Sequence, residues 1–151
     1  MQHDSNLTAR WPSFVTHLEC AMTGERHEAD QVHNLSRAGK PLLVRYDLAG
    51  VAKALSKETL ATRAPDLWRY RELLPVRDPE NIVSLGEAIT PLIRMPKLSA
   101  KLGGGEILVK DEGRLPTGSF KARGLVMAVS MAKALGIKHM AMPTNGNAGA
   151  A

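Results

Sequence analysis

The run from Ile107 to Gly124, Ile-Leu-Val-Lys-Asp-Glu-Gly-Arg-Leu-Pro-Thr-Gly-Ser-Phe-Lys-Ala-Arg-Gly, constrains this chain more than any other stretch. It opens on β-branched and aliphatic residues, turns through charged, Gly and Pro residues, and is helix-compatible over 119–135. Lys121 therefore falls in the first turn of a helix that follows a strand and a tight loop. The positive end of the helix dipole disfavours an ammonium group there. The same field lowers a lysine pKa and favours its amine as a nucleophile. On spacing alone a solvated lysine is the ordinary reading, because lysines are mostly exposed.

Beyond Lys121 the chain is strongly apolar. Leu125, Val126, Met127, Ala128, Val129, Met131, Ala132 and Leu135 leave almost no polar face, which predicts a helix buried on most sides. Gly136 stands where a left-handed C-cap residue belongs, and 137–142 reads as the next strand. Strand 107–110, helix 119–135 and strand 137–142 make one βαβ unit, implying parallel strands with a right-handed crossover. The expected fold is α/β, part of a doubly wound parallel sheet whose ligands sit at the carboxyl ends of its strands. Residues 143–151, Pro-Thr-Asn-Gly-Asn-Ala-Gly-Ala-Ala, leave such an end and begin a small-residue helix. Small residues let backbone N–H groups approach a ligand, and a helix N-terminus favours an anion. Gly146 and Gly149 do not complete a Gly-x-Gly-x-x-Gly nucleotide fingerprint.

Upstream, residues 1–16 are polar and read as an arm around Trp11-Pro12. His17, Cys20, His27 and His33 could suit a metal, but their spacing is irregular and no Cys-x-x-Cys knuckle is present, so no metal is expected. Residues 41–46 predict a strand. Residues 51–60 predict a helix with Leu55 and Leu60 inward. A second helix is expected from Pro65-Asp66, with Leu67, Tyr70 or Arg71, and Leu74 on one face, ended by Pro75. The turn at 78–81 is the best internal boundary, giving an arm over 1–16, a piece over 17–78, and an α/β domain starting at 79 and running to 151. Residues 97–101 read as a short helix or turn, and Gly103 to Gly105 as a loop.

Composition narrows the function classes. A chain of 151 residues with 44% hydrophobic and 23% charged residues suits one globular domain. No apolar run approaches the ~20 residues that span a bilayer, and the start lacks a secretory pattern. The single cysteine excludes an internal disulfide framework and fits a reducing cytoplasm. The net charge of +5 is spread along the chain and interleaved with acids. That pattern suits an anionic small-molecule ligand; neither nucleic acid nor membrane is expected as a partner.

Pro116-Thr-Gly-Ser-Phe-Lys121-Ala-Arg123-Gly124 resembles the lysine segment of the fold type II pyridoxal-phosphate enzymes, the tryptophan synthase β family. Leu85-Gly-Glu-Ala-Ile-Thr-Pro-Leu92 resembles that family's Leu-Gly-Glu-Gly-x-Thr-Pro-Leu segment, with Ala88 in place of the second glycine. Alanine is harmless there at negative φ and strained otherwise. Thr144-Asn-Gly-Asn147 resembles the family's asparagine loop. Within the family, Trp68 to Val76 is similar to threonine-synthase-like sequences. These often carry a small N-terminal ribbon, and Cys20-Ala-Met-Thr-Gly24 and residues 35–42 resemble its two knuckles with cysteines missing. The chain thus looks like a metal-free, degenerate version of that ribbon followed by the start of a cofactor-binding domain.

The resemblance implies pyridoxal 5′-phosphate held on Lys121 as a Schiff base, with Asn147 hydrogen-bonding the cofactor's phenolic oxygen. It places Thr144, Asn145, Gly146 and Ala148 around the α-carboxylate of an amino-acid substrate. The implied activity is that of a threonine-synthase-like lyase, converting O-phosphohomoserine to threonine and phosphate. It also implies a longer, homodimeric, cytoplasmic enzyme of which this is the N-terminal portion. A phosphate loop and a partner for the pyridine nitrogen would come later in the sequence, and the 151-residue chain alone is expected to be inactive. One departure bears on substrate: threonine synthases commonly have Asp where this chain has Ala122. The alternatives are a serine or threonine dehydratase, another β-replacement enzyme of this kind, or a non-catalytic α/β fragment acting as an interaction module.

Overall fold

The computed structural model describes residues 10–151; the first nine residues of the expected arm lie outside them. Strand β1 (Val15–Cys20) pairs antiparallel with β2 (Arg26–His27) on one side and β3 (Leu42–Tyr46) on the other. β1 begins inside the expected arm and runs through the first histidine and the cysteine, so that piece is a strand rather than an irregular segment. Val15 and Cys20 are the buried ends of β1.

Two tight turns close this ribbon. The Gly24 N–H donates to the Cys20 carbonyl at 3.0 Å, and the Gly39 N–H to the Ser36 carbonyl at 2.8 Å. The Cys20 thiol lies against the Ser36 hydroxyl at 3.1 Å and accepts the Thr23 N–H at 3.4 Å, while Ser36 Oγ accepts the Lys40 N–H at 3.2 Å. The positions where two knuckles would face each other are therefore joined by hydrogen bonds between side chains and turns.

Residues 51–60, expected as one helix, belong to two: α1 (Leu48–Ala54) and α2 (Lys57–Thr62). The break comes from local side-chain chemistry. Ser56 is extended and its hydroxyl accepts the Thr59 N–H at 3.1 Å, so it caps α2 instead of continuing α1. The next segment also differs from expectation. Leu67–Leu73 is a 3-10 helix kinked at Tyr70, with Pro65 ahead of its Asp66 cap. It buries Trp68 and Glu72, whereas Tyr70 is 43% exposed. Leu67 and Leu74 do pack against the core, while Glu72 is drawn inward by Arg63, which donates to it bidentately at 2.6 and 2.7 Å.

Trp68 and Val76 pack with Val126 at the centre of the main cluster, joined by Trp11, Leu74, Ile82 and Met131. The Trp11 and Trp68 rings lie 6.2 Å apart, tilted by 52°, a favourable aromatic arrangement. Residues 10–14 thus pack on the surface rather than trailing free.

Strand β4 (Leu92–Arg94) pairs antiparallel with β5 (Leu108–Lys110), and helix α3 (Pro96–Lys101) with the Gly103 to Gly105 loop connects them. Helix α4 (Lys121–Ala134) comes next, ended by Gly136 at φ 69° with its N–H on the Lys133 carbonyl and that of Ile137 on Ala132. A four-residue helix, α5 (Asn147–Ala150), comes last.

Two expectations are corrected here. Residues 137–142 form no strand, and β5 takes its hydrogen bonds from β4, so the parallel βαβ unit and the doubly wound parallel sheet are not present among the described residues. The architecture is mixed α/β with two small antiparallel sheets. A strand exists only through its ladder partner, and 137–142 has an apolar sequence but no such partner. Helix α4 is also not buried on most sides: Ala122, Val126, Ser130 and Ala132 are its buried residues, while Val129 is 37% exposed. No helix among the described residues is long and apolar enough to cross a membrane.

Candidate active site

The loop before α4 sets the geometry of Lys121. Asp111 starts a 3-10 turn over Glu112–Arg114, its carboxylate accepting the Gly113 N–H at 3.2 Å. A second turn, Pro116–Gly118, contains Thr117 at φ 68°. Thr117 is the non-glycine residue at positive φ among the described residues. For a β-branched side chain this backbone is strained, at a cost of about 1–3 kcal/mol, and strain of this kind clusters at functional sites. Ser119 is extended and buried, and its Oγ accepts the Lys121 N–H at 3.2 Å. That contact starts α4 at Lys121 itself. The lysine side chain is exposed, with Nζ 4.6 Å from the centre of the Phe120 ring, an attractive contact for an ammonium group.

Across a cavity of about 490 Å³ from Lys121 stand Pro143, Thr144, Asn145, Asn147 and Ala148. That volume is ordinary for a small-molecule site. The fold thus brings the lysine segment and the 143–148 loop, more than twenty residues apart in sequence, to one space. Gly146 bends the loop at φ 126° without lining the cavity. Thr144 orders the loop from within: its Oγ1 accepts the Gly146 N–H at 3.0 Å and the Gly149 N–H at 2.8 Å. Its own O–H is the group left to donate. Gly149 permits this closure, since a Cβ there would meet Thr144 Cγ2 at 2.6 Å.

The chemistry of the lining suits a carbonyl-bearing, anionic ligand. It offers one amine able to attack a carbonyl, two side-chain amides and one hydroxyl, with no carboxylate among the lining residues. Pyridoxal phosphate fits that donor set, with Lys121 and Asn147 as the residues that would hold it.

Behind the lysine loop lies a charged network that sequence reasoning missed. Arg123 donates to Glu112 through Nε at 2.5 Å and Nη2 at 3.0 Å, and Nη2 also reaches the Ala88 carbonyl at 3.1 Å. The Thr90 hydroxyl donates to Glu112, and Lys110 Nζ to the Thr90 carbonyl at 3.0 Å. The Arg123 guanidinium, helped by Thr90 and Lys110 and opposed by desolvation, holds the Glu112 carboxyl down to about 2. Arg123 was visible as part of a motif, but nothing in the spacing pairs it with a residue eleven positions earlier. Ala88 forms an isolated antiparallel bridge with Asp66 at ordinary negative φ, so alanine in place of glycine is unstrained.

Residues 83–151 match the family described as pyridoxal-phosphate dependent enzyme. A threonine synthase of Methanocaldococcus jannaschii is 39% identical over 131 residues, covering 87% of this chain and 32% of that protein. One of Methanosarcina acetivorans is 38% identical over 137 residues, covering 89% of this chain and 33% of that protein. One of Halalkalibacterium halodurans is 47% identical over 85 residues, covering 56% and 24%. The chain spans about a third of the length of the first two of these relatives. No solved structure matches. Over residues 83–151, then, the chain is similar to the pyridoxal-phosphate dependent enzymes, and over most of its length to threonine synthases, which indicates pyridoxal phosphate as the cofactor.

Proposed function

We propose that this chain is the N-terminal portion of a threonine-synthase-type lyase that converts O-phosphohomoserine to threonine and phosphate. The observation that carries the reading is the shared cavity of Lys121 and the 143–148 loop. When bound, pyridoxal phosphate supplies the electron sink for breaking and forming bonds at the substrate carbons. Lys121 would hold the cofactor, and its Nζ would be the group that takes up and returns protons. The Asn147 amide would help hold the cofactor from the other side of the cavity. The Thr144 O–H, the Asn145 amide and the loop at Gly146 and Ala148 receive the substrate carboxylate. The loop's internal hydrogen bonds orient these groups in advance, so less ordering is needed on binding. The full-length form acts as a homodimer in this reading.

Ala122 bears on the choice of substrate. It is 2% exposed and is not among the lining residues. The replacement of aspartate at this position therefore alters packing rather than the cavity wall, and gives no support to a dehydratase over a threonine synthase.

The test is to incubate the chain with pyridoxal phosphate, reduce with borohydride and map the labelled peptide. The label is expected on Lys121. A label on Lys110, Lys133 or Lys138 instead would overturn the assignment. Phosphate release from O-phosphohomoserine by a full-length form, abolished in Lys121→Ala, tests the reaction itself.

A further inference from the structure

We infer that Glu112 is the positioning residue of the lysine loop, acting on Lys121 through Arg123. The inference rests on the reading of Lys121 as the cofactor lysine. Glu112 sits at the start of the turn that precedes the loop, and Arg123 stands two residues beyond Lys121 in the first turn of α4. Their two hydrogen bonds, at 2.5 and 3.0 Å, close a ring around residues 113–122. Everything that aims Lys121 lies inside that ring: the left-handed Thr117, the Gly118 turn, and Ser119 with its bond to the Lys121 N–H. A loop containing a strained residue keeps its shape only where its surroundings over-determine it. A bidentate arginine–carboxylate pair is a directional contact of the needed kind.

The ring is in turn anchored to a separate segment. The Thr90 hydroxyl donates to Glu112, and Arg123 donates to the Ala88 carbonyl at 3.1 Å. Ala88 is itself bridged to Asp66. Glu112 is thus the junction of the loop, the first turn of α4 and the 88–90 segment, yet it does not line the cavity. It acts by position, not by contact with the ligand.

The experiment compares the 151-residue chain with Glu112→Gln, the charge-swapped pair Glu112→Arg with Arg123→Glu, Thr90→Val, and Arg63→Lys as a perturbed ion pair elsewhere. Each is titrated with pyridoxal phosphate, fixed with borohydride and quantified at Lys121, at a temperature where circular dichroism shows it folded. Amide exchange of residues 115–124 is measured without cofactor. Glu112→Gln should raise the half-saturating concentration about tenfold and speed exchange in 115–124. The swapped pair should recover part of both, and Arg63→Lys should change neither. Should Glu112→Gln not fold, Thr90→Val carries the same test with a shift of a few-fold in the same direction. Wild-type saturation and exchange in Glu112→Gln, or in Thr90→Val where it stands in, would overturn the inference while leaving Lys121 as the cofactor lysine. An equal shift in Arg63→Lys would reduce Glu112 to a general stability role and overturn it too. Absence of label on Lys121 in the unaltered chain would overturn the cofactor reading and this inference with it, whatever the exchange pattern.

Discussion

Glu72 and Glu112 each hold local structure through arginine, and they differ in how far water reaches them. Glu72 is 2% exposed and bound bidentately by Arg63, which also donates to the Arg69 carbonyl at 2.5 Å. Taking one partner from a buried pair leaves the other charge unsolvated, at a cost of about 3–5 kcal/mol. Glu72→Ala should therefore lower the free energy of unfolding by that order, as measured by urea denaturation at neutral pH. Glu112 is more accessible, so solvent screens part of its pairing. Its contribution shows instead in the pH profile. With the carboxyl at about 2 in the folded chain against an ordinary 4.5, the unfolded chain binds more protons between those values. The stability that Glu112 adds is fully present above pH 4.5 and is lost as pH falls towards 2. The urea midpoint should fall across that window, and fall less steeply in Glu112→Gln.

At the scale of elements, helix α4 is the one that presents Lys121, and its glycine is a direct probe of it. Gly124 lies in its second turn, with open space where a Cβ would stand and no positive φ. Gly124→Ala should stabilise the fold by about 0.5–1 kcal/mol, seen as a raised thermal midpoint. Gly149→Ala should behave oppositely, because its Cβ would meet Thr144 at 2.6 Å. It should raise the pyridoxal phosphate concentration needed to label Lys121 without shifting the label elsewhere. What could be read from sequence divides along the same line. Helix α4, expected over 119–135 and found as Lys121–Ala134, strand β3 and strand β5 rest on local signals: a C-terminal glycine and runs of β-formers. The strand expected at 137–142 failed because a strand is defined by its partner, which local pattern cannot supply. The same reason hid β1, whose histidine and cysteine drew attention as ligands, and the antiparallel pairing of β4 with β5. The cavity residues were legible because each sits in a contiguous motif. The Glu112–Arg123 pair was not, because it joins two segments through folded geometry alone.

At the scale of the whole molecule, the decisive quantity is surface. The chain exposes 10708 Å², whereas a compact protein of its mass exposes about 7500 Å². Large apolar side chains share in the exposure: Leu92 and Ile93 on β4 and Leu108 and Val109 on β5 are all at least 38% exposed, as are Phe120, Met140 and Met142. Surface of this extent drives association. The 151-residue chain should therefore show a concentration-dependent rise in mass by light scattering, and bind an apolar dye more strongly than a compact monomer would. The cavity shares this openness, since every lining residue except Ala148 is exposed and, among the described residues, only the lysine segment and the 143–148 loop contribute to it. An amine can still react with a carbonyl there, but two segments cannot hold a ring and a substrate in fixed relation. Orientation of that kind is worth about 7–11 kcal/mol of barrier in well-aligned systems. The expected outcome is a chain that accepts the label on Lys121 and yet releases no phosphate from O-phosphohomoserine over many cofactor equivalents. Sustained release that vanishes in Lys121→Ala would show that these two segments suffice for catalysis, and that the exposed surface is no obstacle to it.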